Sequence, residues 1–385
     1  MKRVNKFKKI AGGLLSAMLA VVLLVPMGVY AEPELGKEAR SVILIEASTG
    51  MVLYENNADE RLPPASVTKI MTLLLVMEAV DSGTIKLTDM VQVSSNAASK
   101  GGSQVFLEPG EEMSVDELIK CVAVASANDA AVALGEFVAG SEEGFVDRMN
   151  SRAKELGMQN THFENATGLD DSVTDHLTTA RDIAVMSREL MSHETILNYT
   201  TIWMDSIRNG AFGLTNTNRL IRFYSGANGL KTGSTSKALF CISAAAKRDG
   251  MQLIAVIMGA PTRDVRNEIA KKLLDYGFAN YKYVSYQEGN VRNVPVIGGV
   301  KNECNLRKNG FAAVLPKNSG AVTENVILPE YISAPVSEGD IIGEIQYTSN
   351  GEVIGKSDIV ASESVEKISY FGLLGRLVLK FFLCG

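Results

Sequence analysis

Three short patterns of hydroxyl, amine and amide side chains occur in order along this chain: Ser66-Val-Thr-Lys69, Ser126-Ala-Asn128 and Lys231-Thr-Gly233. A lysine three residues after a serine lies on the same face of a helix, so an uncharged amine there can take the proton of the serine hydroxyl. That pairing would make the serine a nucleophile for acyl transfer. Alone, each pattern is weak, because Ser-x-x-Lys starts at four serines, namely Ser66, Ser151, Ser234 and Ser364.

The surroundings of Ser66 favour it as the nucleophile. It follows two prolines and precedes the apolar run KIMTLLLVMEAV, which predicts a helix that begins beside the serine. A helix N-terminus offers unpaired N–H groups and a positive dipole end, and both stabilise a developing anion. Apolar neighbours would desolvate the amine of Lys69 and Lys231 would add a second cation, so both effects lower the pKa of Lys69. The alternative is an ordinary helix start with a surface lysine, which we expect at Ser151 and Ser364.

The other two patterns fall where polar groups can face a cleft. Ser126-Ala-Asn128 lies in a break between two predicted helices, and its alternative is a simple helix cap. Lys231-Thr-Gly233 opens a predicted strand, and its alternative is an ordinary strand start. The cation and hydroxyl of this pattern suit a substrate carboxylate, and Gly233 would let the backbone approach a ligand closely.

Together the three patterns resemble those of the penicillin-binding protein and serine β-lactamase superfamily. The chain looks most like low-molecular-mass penicillin-binding proteins that act as D-Ala-D-Ala carboxypeptidases, especially those of spore-forming bacteria. Further segments carry the likeness: GGSQVFLEPGEEMSVDELI, NATGLDD, HLTTARDIA and LLDYGF. The resemblance implies an α+β penicillin-binding protein/β-lactamase-like transpeptidase fold, an antiparallel sheet with flanking helices and a helical subdomain. A small all-β domain and a C-terminal amphipathic helix would follow.

The implied activity is removal of the terminal D-alanine from peptidoglycan pentapeptide stems through an acyl-enzyme, with covalent inhibition by penicillin. Ser66 would attack the penultimate D-alanine carbonyl, Lys69 would be its base, and Ser126 would pass a proton to the leaving D-alanine. The substrate-binding residues that the resemblance implies are Asn128, Lys231, Thr232, Gly233, Ser234 and Arg266.

The resemblance also implies how those binding residues divide their work. Asn128 would hold the substrate amide, and Lys231 would hydrogen-bond Ser126. Thr232 and Arg266 would bind the terminal carboxylate of the substrate.

The implied oxyanion hole consists of the backbone N–H groups of Ser66 and Ser234.

Two residues depart from the common family pattern. Ala127 stands where glycine is more usual, and its side chain need not enter the cleft. Ser234 stands where many members carry histidine or tyrosine, so it bears on fine specificity while still supplying its backbone donor.

Other functions remain alternatives at this point. The same scaffold could serve a D,D-endopeptidase or a β-lactamase, although the small β domain expected after the catalytic part argues against a class A β-lactamase. A catalytically silent cell-wall-binding protein is a third possibility. No metal and no cofactor are expected, because the three histidines are scattered and no His-Glu-x-x-His or Walker pattern occurs. Of the histidines, His176 could act as a base, but a structural role is favoured over that.

The order of predicted elements is a hairpin at 41–55, a long helical block, and then strands and a helix. This order predicts one antiparallel sheet in which the first and last strands meet. In the catalytic part, one predicted helix starts at 69, and further helices are predicted at 114–125, 128–138, 144–156, 179–192 and 264–278. The predicted domains are a signal peptide at 1–31, a catalytic domain at 32–282, a small β-rich domain at 283–362 and an amphipathic helix at 363–385.

The two ends of the chain suggest export and membrane contact. Residues 1–31 combine a basic start with an apolar run, as in a secretory signal, whose alternative is a membrane anchor. They hold five basic residues and no acid, so their removal takes the net charge from −6 to −11, which argues against a nucleic-acid partner. Near the other end, Arg376 and Lys380 lie one helical turn apart among apolar residues, which predicts a helix on a membrane surface, the alternative being a helix docked on the core.

These expectations place the protein at the outer face of the bacterial cytoplasmic membrane, on the cell-wall side. The expected partners are peptidoglycan stem peptides ending in D-Ala-D-Ala, β-lactam antibiotics and the membrane surface.

Overall fold

The chain forms a mixed helix and strand region followed by a region built of strands. A computed structural model describes residues 34–171 and 173–383, so the predicted signal peptide at 1–31 lies outside the described residues. The strands are β1 (Ser41–Glu46), β2 (Val52–Asn56), β3 (Met90–Gln92), β4 (Glu112–Ser114), β5 (Met204–Ile207), β6 (Phe212–Thr215), β7 (Ala227–Thr235), β8 (Leu239–Arg248), β9 (Met251–Ala260), β10 (Tyr281–Tyr286), β11 (Gly289–Ile297), β12 (Glu303–Lys308), β13 (Phe311–Pro316), β14 (Val322–Ile327), β15 (Ile332–Ser333), β16 (Ile341–Ser349) and β17 (Glu352–Ala361). The helices are α1 (Lys69–Asp81), α2 (Ser95–Ala98), α3 (Val115–Lys120), α4 (Asn128–Ala139), α5 (Glu142–Glu155), α6 (Ala180–Ser192), α7 (Leu197–Thr200), α8 (Leu220–Phe223), α9 (Arg263–Asn280) and α10 (Tyr370–Leu383).

A five-stranded antiparallel sheet in the order β2-β1-β9-β8-β7 forms the centre of the first region. The first strand pairs with the last, from Ser41 opposite Met258 onward, so the prediction that they meet is confirmed. The predicted turn at 248–250 joins β8 to β9. Asp249 and Gly250 both have positive φ there, as the favoured two-residue hairpin turn requires.

Strand β7 is longer than predicted. It begins at Ala227, whereas the sequence predicted that Lys231 opens the strand. The prediction was wrong because two glycines before Lys231 indicated a loop, yet that segment pairs with β8 from Ala246 onward. Lys231 therefore lies inside a paired edge strand, where the backbone fixes its position.

Helix α1 is apolar almost all round because it lies in the interior. Its residues from Lys69 to Met77 are all buried, including the lysine itself. A helix with this composition cannot be a surface helix, which would carry one polar face. The burial of a lysine at its first residue is the feature on which the site depends.

The predicted helix at 114–125 begins as expected, with the Ser114 hydroxyl accepting the N–H of Glu117. Its last turn is wider than an α-helix: Cys121–Ala125 forms a π-helical turn. The turn ends at Ser126, whose φ of 64° is in the left-handed region. The break that the sequence predicted before Asn128 is therefore real, and its unusual backbone turns the Ser126 side chain toward the central cleft.

The second region contains a six-stranded sheet in the order β14-β16-β17-β12-β11-β15 and a separate pair of β10 with β13. The predicted hairpin turn at Asn350-Gly351 joins β16 to β17, and both residues have positive φ. The region begins at Tyr281, and Val365 still bridges to Val336, so its pairing extends beyond the predicted limits of 283–362 on both sides. Backbone pairing, which composition does not report, sets these limits.

Helix α10 leaves most of its apolar side chains in solvent, for example Phe371 at 81% and Phe381 at 83% exposure. Arg376 is half-buried against the second region: its guanidinium donates to the Gly299 carbonyl and to Asn302 Oδ1, each at 3.0 Å, and to the Val300 carbonyl. Among the described residues, no helix is both long and apolar enough to cross a membrane.

Strand β7 approaches the turn that carries Ser66 at Gly233. A Cβ atom at position 233 would lie 2.8 Å from the backbone nitrogen of Ser66 and 2.9 Å from the carbonyl oxygen of Pro64. Glycine is therefore required for the strand to pack against this turn, and the close approach predicted for Gly233 is toward the protein's own backbone.

We expect Gly233→Ala to destabilise the protein by about 1–3 kcal/mol, because the added methyl must push two backbone segments apart. Thermal or denaturant unfolding of the purified chain measures the change. Gly213→Ala is the matched control, since nothing lies within 4 Å of a Cβ there. Equal stability of the two variants would contradict the close packing of β7.

Candidate active site

The three sequence patterns meet at one cavity of about 460 Å³. Its lining includes most of the predicted site residues: Ser66, Ser126, Thr232, Gly233, Ser234 and Arg266. Lys69 and Lys231 lie behind this lining, and both are almost fully buried. Asn128 is also buried and reaches the site through Lys69.

Ser66 lies in a single turn of 3₁₀ helix, Ala65–Thr68, that leads directly into α1. The preceding residue, Ala65, has a φ of 48°, which is rare for a residue with a side chain. Gly168 from a distant loop presses on this turn, because a Cβ atom there would lie only 1.8 Å from the Ala65 carbonyl oxygen. The turn is thus held from one side by this loop and from the other by β7.

The amine of Lys69 has three partners: Ser66 Oγ at 3.0 Å, Asn128 Oδ1 at 2.5 Å and the Thr167 carbonyl oxygen at 2.8 Å. Carbonyl oxygens only accept hydrogen bonds, whereas a hydroxyl can also donate. A neutral amine has two N–H bonds and one lone pair. The two carbonyl oxygens take the N–H bonds, so the lone pair is left for the hydroxyl of Ser66.

The surroundings of Lys69 favour this neutral form. Burial lowers the pKa of Lys69 well below its ordinary value, the positive charge of Lys231 lowers it further, and Asp129 opposes the shift. Burial also lowers the pKa of Lys231 to about 7, with a contribution from the charge of Arg266. Both causes that the sequence predicted for Lys69, desolvation and a second cation, are therefore present.

Asn128 is committed to internal contacts. Its oxygen accepts from Lys69, and its Nδ2 donates to the Gly101 carbonyl at 2.6 Å. The implied hydrogen bond from Lys231 to Ser126 is not formed: the Lys231 amine donates to the Thr232 carbonyl at 3.0 Å. Ser126 instead presents its side chain to the cavity.

The predicted carboxylate-binding residues lie along one wall of the cavity. Arg266, on α9, is held by Asn267 Oδ1 and by the Cys241 carbonyl. Burial lowers the pKa of Arg266 to about 10, and the charge of Arg263 adds to that effect. The Thr232 hydroxyl donates to the Thr217 hydroxyl at 2.8 Å. No carboxylate lines the cavity within the described residues, so the wall favours an anion.

The sequence patterns did not predict several residues that belong to the site. Thr167 contributes a backbone carbonyl, which no side-chain pattern reports. Trp203, Arg219 and Arg263 line the cavity from segments without a recognisable motif. The segment NATGLDD was noted only for its family likeness, and that likeness was the one available signal for Thr167.

The histidines are not brought together. His176 is buried and contacts Thr68, whereas His162 and His193 lie near carboxylates at the surface, beside Asp175 and Asp81. In the part of the chain that the structure describes, no group of three or more His, Cys, Asp or Glu residues could hold a metal ion.

Comparison with known proteins finds two family models along the chain. The model described as D-alanyl-D-alanine carboxypeptidase (Peptidase S11) matches residues 29–262. The model described as penicillin-binding protein 5, C-terminal domain, matches residues 281–367. The second match coincides with the region of strands that begins at Tyr281.

Relatives cover nearly all of the chain. D-alanyl-D-alanine carboxypeptidase DacF of Bacillus subtilis (strain 168) is 44% identical over 351 residues, covering 89% of this chain and 90% of its own length. The crystal structure of penicillin-binding protein 5 from Haemophilus influenzae has a TM-score of 0.75 at 30% identity, covering 87% of this chain and 99% of that one. Penicillin-binding protein D2 from Listeria monocytogenes, in its ampicillin-bound form, has a TM-score of 0.55 at 33% identity and covers 63% of this chain and 98% of that one.

These matches confirm the predicted family, fold class and enzyme class. The carboxypeptidase family model covers more than half of the chain, and the relatives from Bacillus subtilis and Haemophilus influenzae extend over both regions. The chain therefore belongs to the D-alanyl-D-alanine carboxypeptidase family, and it is a serine-type carboxypeptidase with a penicillin-binding-protein fold.

Proposed function

We propose that this carboxypeptidase removes the terminal D-alanine from peptidoglycan stem peptides through an acyl-enzyme on Ser66. The observation that carries the proposal is the Lys69 amine, which lies 3.0 Å from Ser66 Oγ and within hydrogen-bond distance of two carbonyl oxygens. In the neutral form of the amine, these two oxygens take both N–H bonds. A base in this geometry can act only on the one neighbour that carries a proton to give, the serine hydroxyl.

In the acylation step, Ser66 Oγ bonds to the carbonyl carbon of the penultimate D-alanine and its proton passes to Lys69. The negative charge that develops on the carbonyl oxygen would be held by the backbone N–H groups of Ser66 and Ser234. The close packing of Gly233 on the Ser66 nitrogen supports this assignment, because it brings the two backbone segments together. Each such donor typically contributes about 2.7–4 kcal/mol to transition-state stabilisation.

Collapse of the tetrahedral intermediate breaks the peptide bond, and the leaving D-alanine nitrogen needs a proton. Ser126 is placed to pass it, since its side chain lines the cavity from the end of the π-helical turn. The proton taken by Lys69 would return through this hydroxyl. Water then attacks the acyl-enzyme with Lys69 again as the base, which restores the free serine and releases the shortened stem.

The terminal carboxylate of the substrate would bind along the cationic wall. Thr232 offers a hydroxyl, and Arg266 offers a guanidinium that is already oriented by Asn267. Lys231 lies behind them, and the arrival of a carboxylate would favour its charged form over its neutral one. β-lactams carry a carboxylate next to a strained amide, so they would bind the same wall and acylate the same serine.

We further propose that the enzyme is exported and works at the outer face of the cytoplasmic membrane. The support comes from helix α10, whose apolar side chains are exposed while its Arg376 is bound to the β-rich region. Such a helix can bury its apolar face in the headgroup boundary of a bilayer while it lies along the surface. The secretory pattern at 1–31 would deliver the enzyme to that side.

Fluorescent penicillin labelling together with D-alanine release from a pentapeptide tests the catalytic assignment. We expect Ser66→Ala to abolish both, and Lys69→Ala to slow acylation by about 10²–10⁴-fold, the usual contribution of a general base. Ser151→Ala and Lys154→Ala are matched controls, because they alter the same Ser-x-x-Lys spacing on an exposed helix face. Labelling of Ser66→Ala, or unchanged acylation in Lys69→Ala, would contradict the proposal.

Acylation should also depend on pH through Lys69. The base is active when neutral, so the acylation rate should fall about tenfold per pH unit below the pKa of Lys69 and level off above it. Because burial lowers that pKa, the plateau should be reached well below the pH at which a free lysine titrates. A rate that keeps rising up to the ordinary lysine range would show that the amine is not desolvated.

Deletion of residues 370–385 tests the membrane proposal. The cut follows Ser369, so the pairing of Ile368 with Gly298 is kept, whereas the contacts of Arg376 with the β-rich region are lost. A chain starting at Glu32 should pellet with vesicles of phosphatidylethanolamine and phosphatidylglycerol, whereas the same chain without 370–385 should stay in solution. Phe381→Ser/Phe382→Ser should weaken binding, and Tyr331→Ser, an exposed aromatic elsewhere, should not. Vesicle binding that survives the deletion would sink the proposal.

A further inference from the structure

His176 is a buried histidine that joins two segments of the active site without touching Ser66. Its Nδ1 lies 3.0 Å from the backbone nitrogen of Glu164, and its Nε2 lies 2.8 Å from Thr68 Oγ1. A backbone N–H can only donate, so Nδ1 must carry a lone pair. The proton of the neutral ring is then on Nε2, and the Thr68 hydroxyl accepts it.

Each of these two contacts leads to Lys69 by a short path. Thr68 immediately precedes Lys69 in the chain. Glu164 begins the loop in which the Thr167 carbonyl accepts a hydrogen bond from the Lys69 amine at 2.8 Å. Asn165 stiffens the loop between them, because its Oδ1 accepts the backbone N–H groups of Thr167 and Gly168.

We propose that His176 is a positioning residue that clamps the 164–168 loop onto the Ser66 turn and so keeps the Thr167 carbonyl on Lys69. With this carbonyl in place, the lone pair of Lys69 is left for Ser66. Without it, the amine can rotate, and water can enter beside it. The inference rests on the proposed function, since it matters for rate only if Lys69 is the base.

The surroundings keep the ring in the form that the clamp needs. Burial lowers the pKa of His176 to about 4, and the charges of Glu164 and Asp170 oppose that shift. The ring packs edge-on against Phe163, with centroids 5.7 Å apart. A protonated ring would turn an N–H toward the N–H of Glu164 and would lose that contact.

Three substitutions separate the two hydrogen bonds of His176. Glutamine can place an N–H donor near the position of Nε2, and asparagine can place an acceptor near the position of Nδ1, whereas alanine offers neither. The backbone pairing of His162 with Leu177 already holds the segment that leads into the loop beside His176, so the bond to Thr68 is the contact that ties this segment to the Ser66 turn. His176→Gln keeps that bond and should acylate with penicillin within about threefold of wild type. His176→Asn and His176→Ala should be slower by about ten- to a hundredfold, the range expected when a catalytic group is displaced by about 1 Å.

Thr68→Val provides a second route to the same contact. It keeps the branched shape of the side chain but removes the acceptor for His176, so it should slow acylation as His176→Ala does. His162→Gln is the matched control. His162 pairs through its backbone with Leu177, the residue after His176, but its own side chain is exposed. Thermal unfolding identifies the variants that remain folded.

The pH profile of acylation is the readout that a merely structural role would not move. Water beside Lys69 would raise its pKa toward the ordinary value, since burial is the main cause of the shift and the charges of Lys231 and Asp129 stay in place. The acid limb should therefore move to higher pH in folded His176→Ala and Thr68→Val, and stay in place in His176→Gln and His162→Gln.

The possible results are distinct. Wild-type rate and pH profile in folded His176→Ala or Thr68→Val would overturn the clamp, as would rescue by asparagine and not by glutamine. A wild-type chain that does not acylate at all would instead refute the proposed function.

Discussion

The contact of the buried Lys69 amine with two carbonyl oxygens and the Ser66 hydroxyl is the interaction on which the rest of this structure depends. Water would hold this amine as a cation, and a cation has no lone pair with which to take a proton. The fold must therefore keep water away from Lys69 while it satisfies both N–H bonds of the amine. It does so with Asn128 and the Thr167 carbonyl, which leave Ser66 as the third partner.

Much of the architecture serves this one requirement. Helix α1 begins at Lys69 and is buried along most of its length, so the amine starts from an apolar interior. Strand β7 adds the charge of Lys231 from the opposite side and packs on the Ser66 turn through Gly233. The loop around Gly168 covers the same turn from a third direction. Three distant segments thus converge on Ser66 and on the amine that we propose as its base.

The sequence predicted the parts of this account that depend on side chains at fixed local spacing. Ser66 and Lys69 were identified by their separation and by the apolar run that follows them, and the sheet by its order of strands. It could not predict the Thr167 carbonyl, because a backbone atom in a loop leaves no mark on composition. It also could not predict the π-helical turn before Ser126 or the early start of β7, since both depend on tertiary pairing rather than on local propensity.

The family resemblance likewise indicated the fold correctly but not every hydrogen bond of the site. The chain has the fold and family that its motifs indicated, yet Lys231 bonds to the Thr232 carbonyl and not to Ser126. Asn128 is occupied by Lys69 and Gly101, so its amide is an internal brace in the free enzyme. A substrate would have to compete with these contacts. In the free enzyme, the polar groups of Asn128 and Lys231 are therefore occupied by internal partners.

The protonation state of Lys69 can be measured directly. In a chain labelled with ¹³C at the lysine Cε, the signal lost in Lys69→Ala identifies Lys69, and its chemical shift reports whether the amine is charged. We predict the shift of a neutral amine at neutral pH, with a transition to the charged form only on acidification. A Lys69 signal that remains that of an ammonium until the ordinary lysine range would contradict the account.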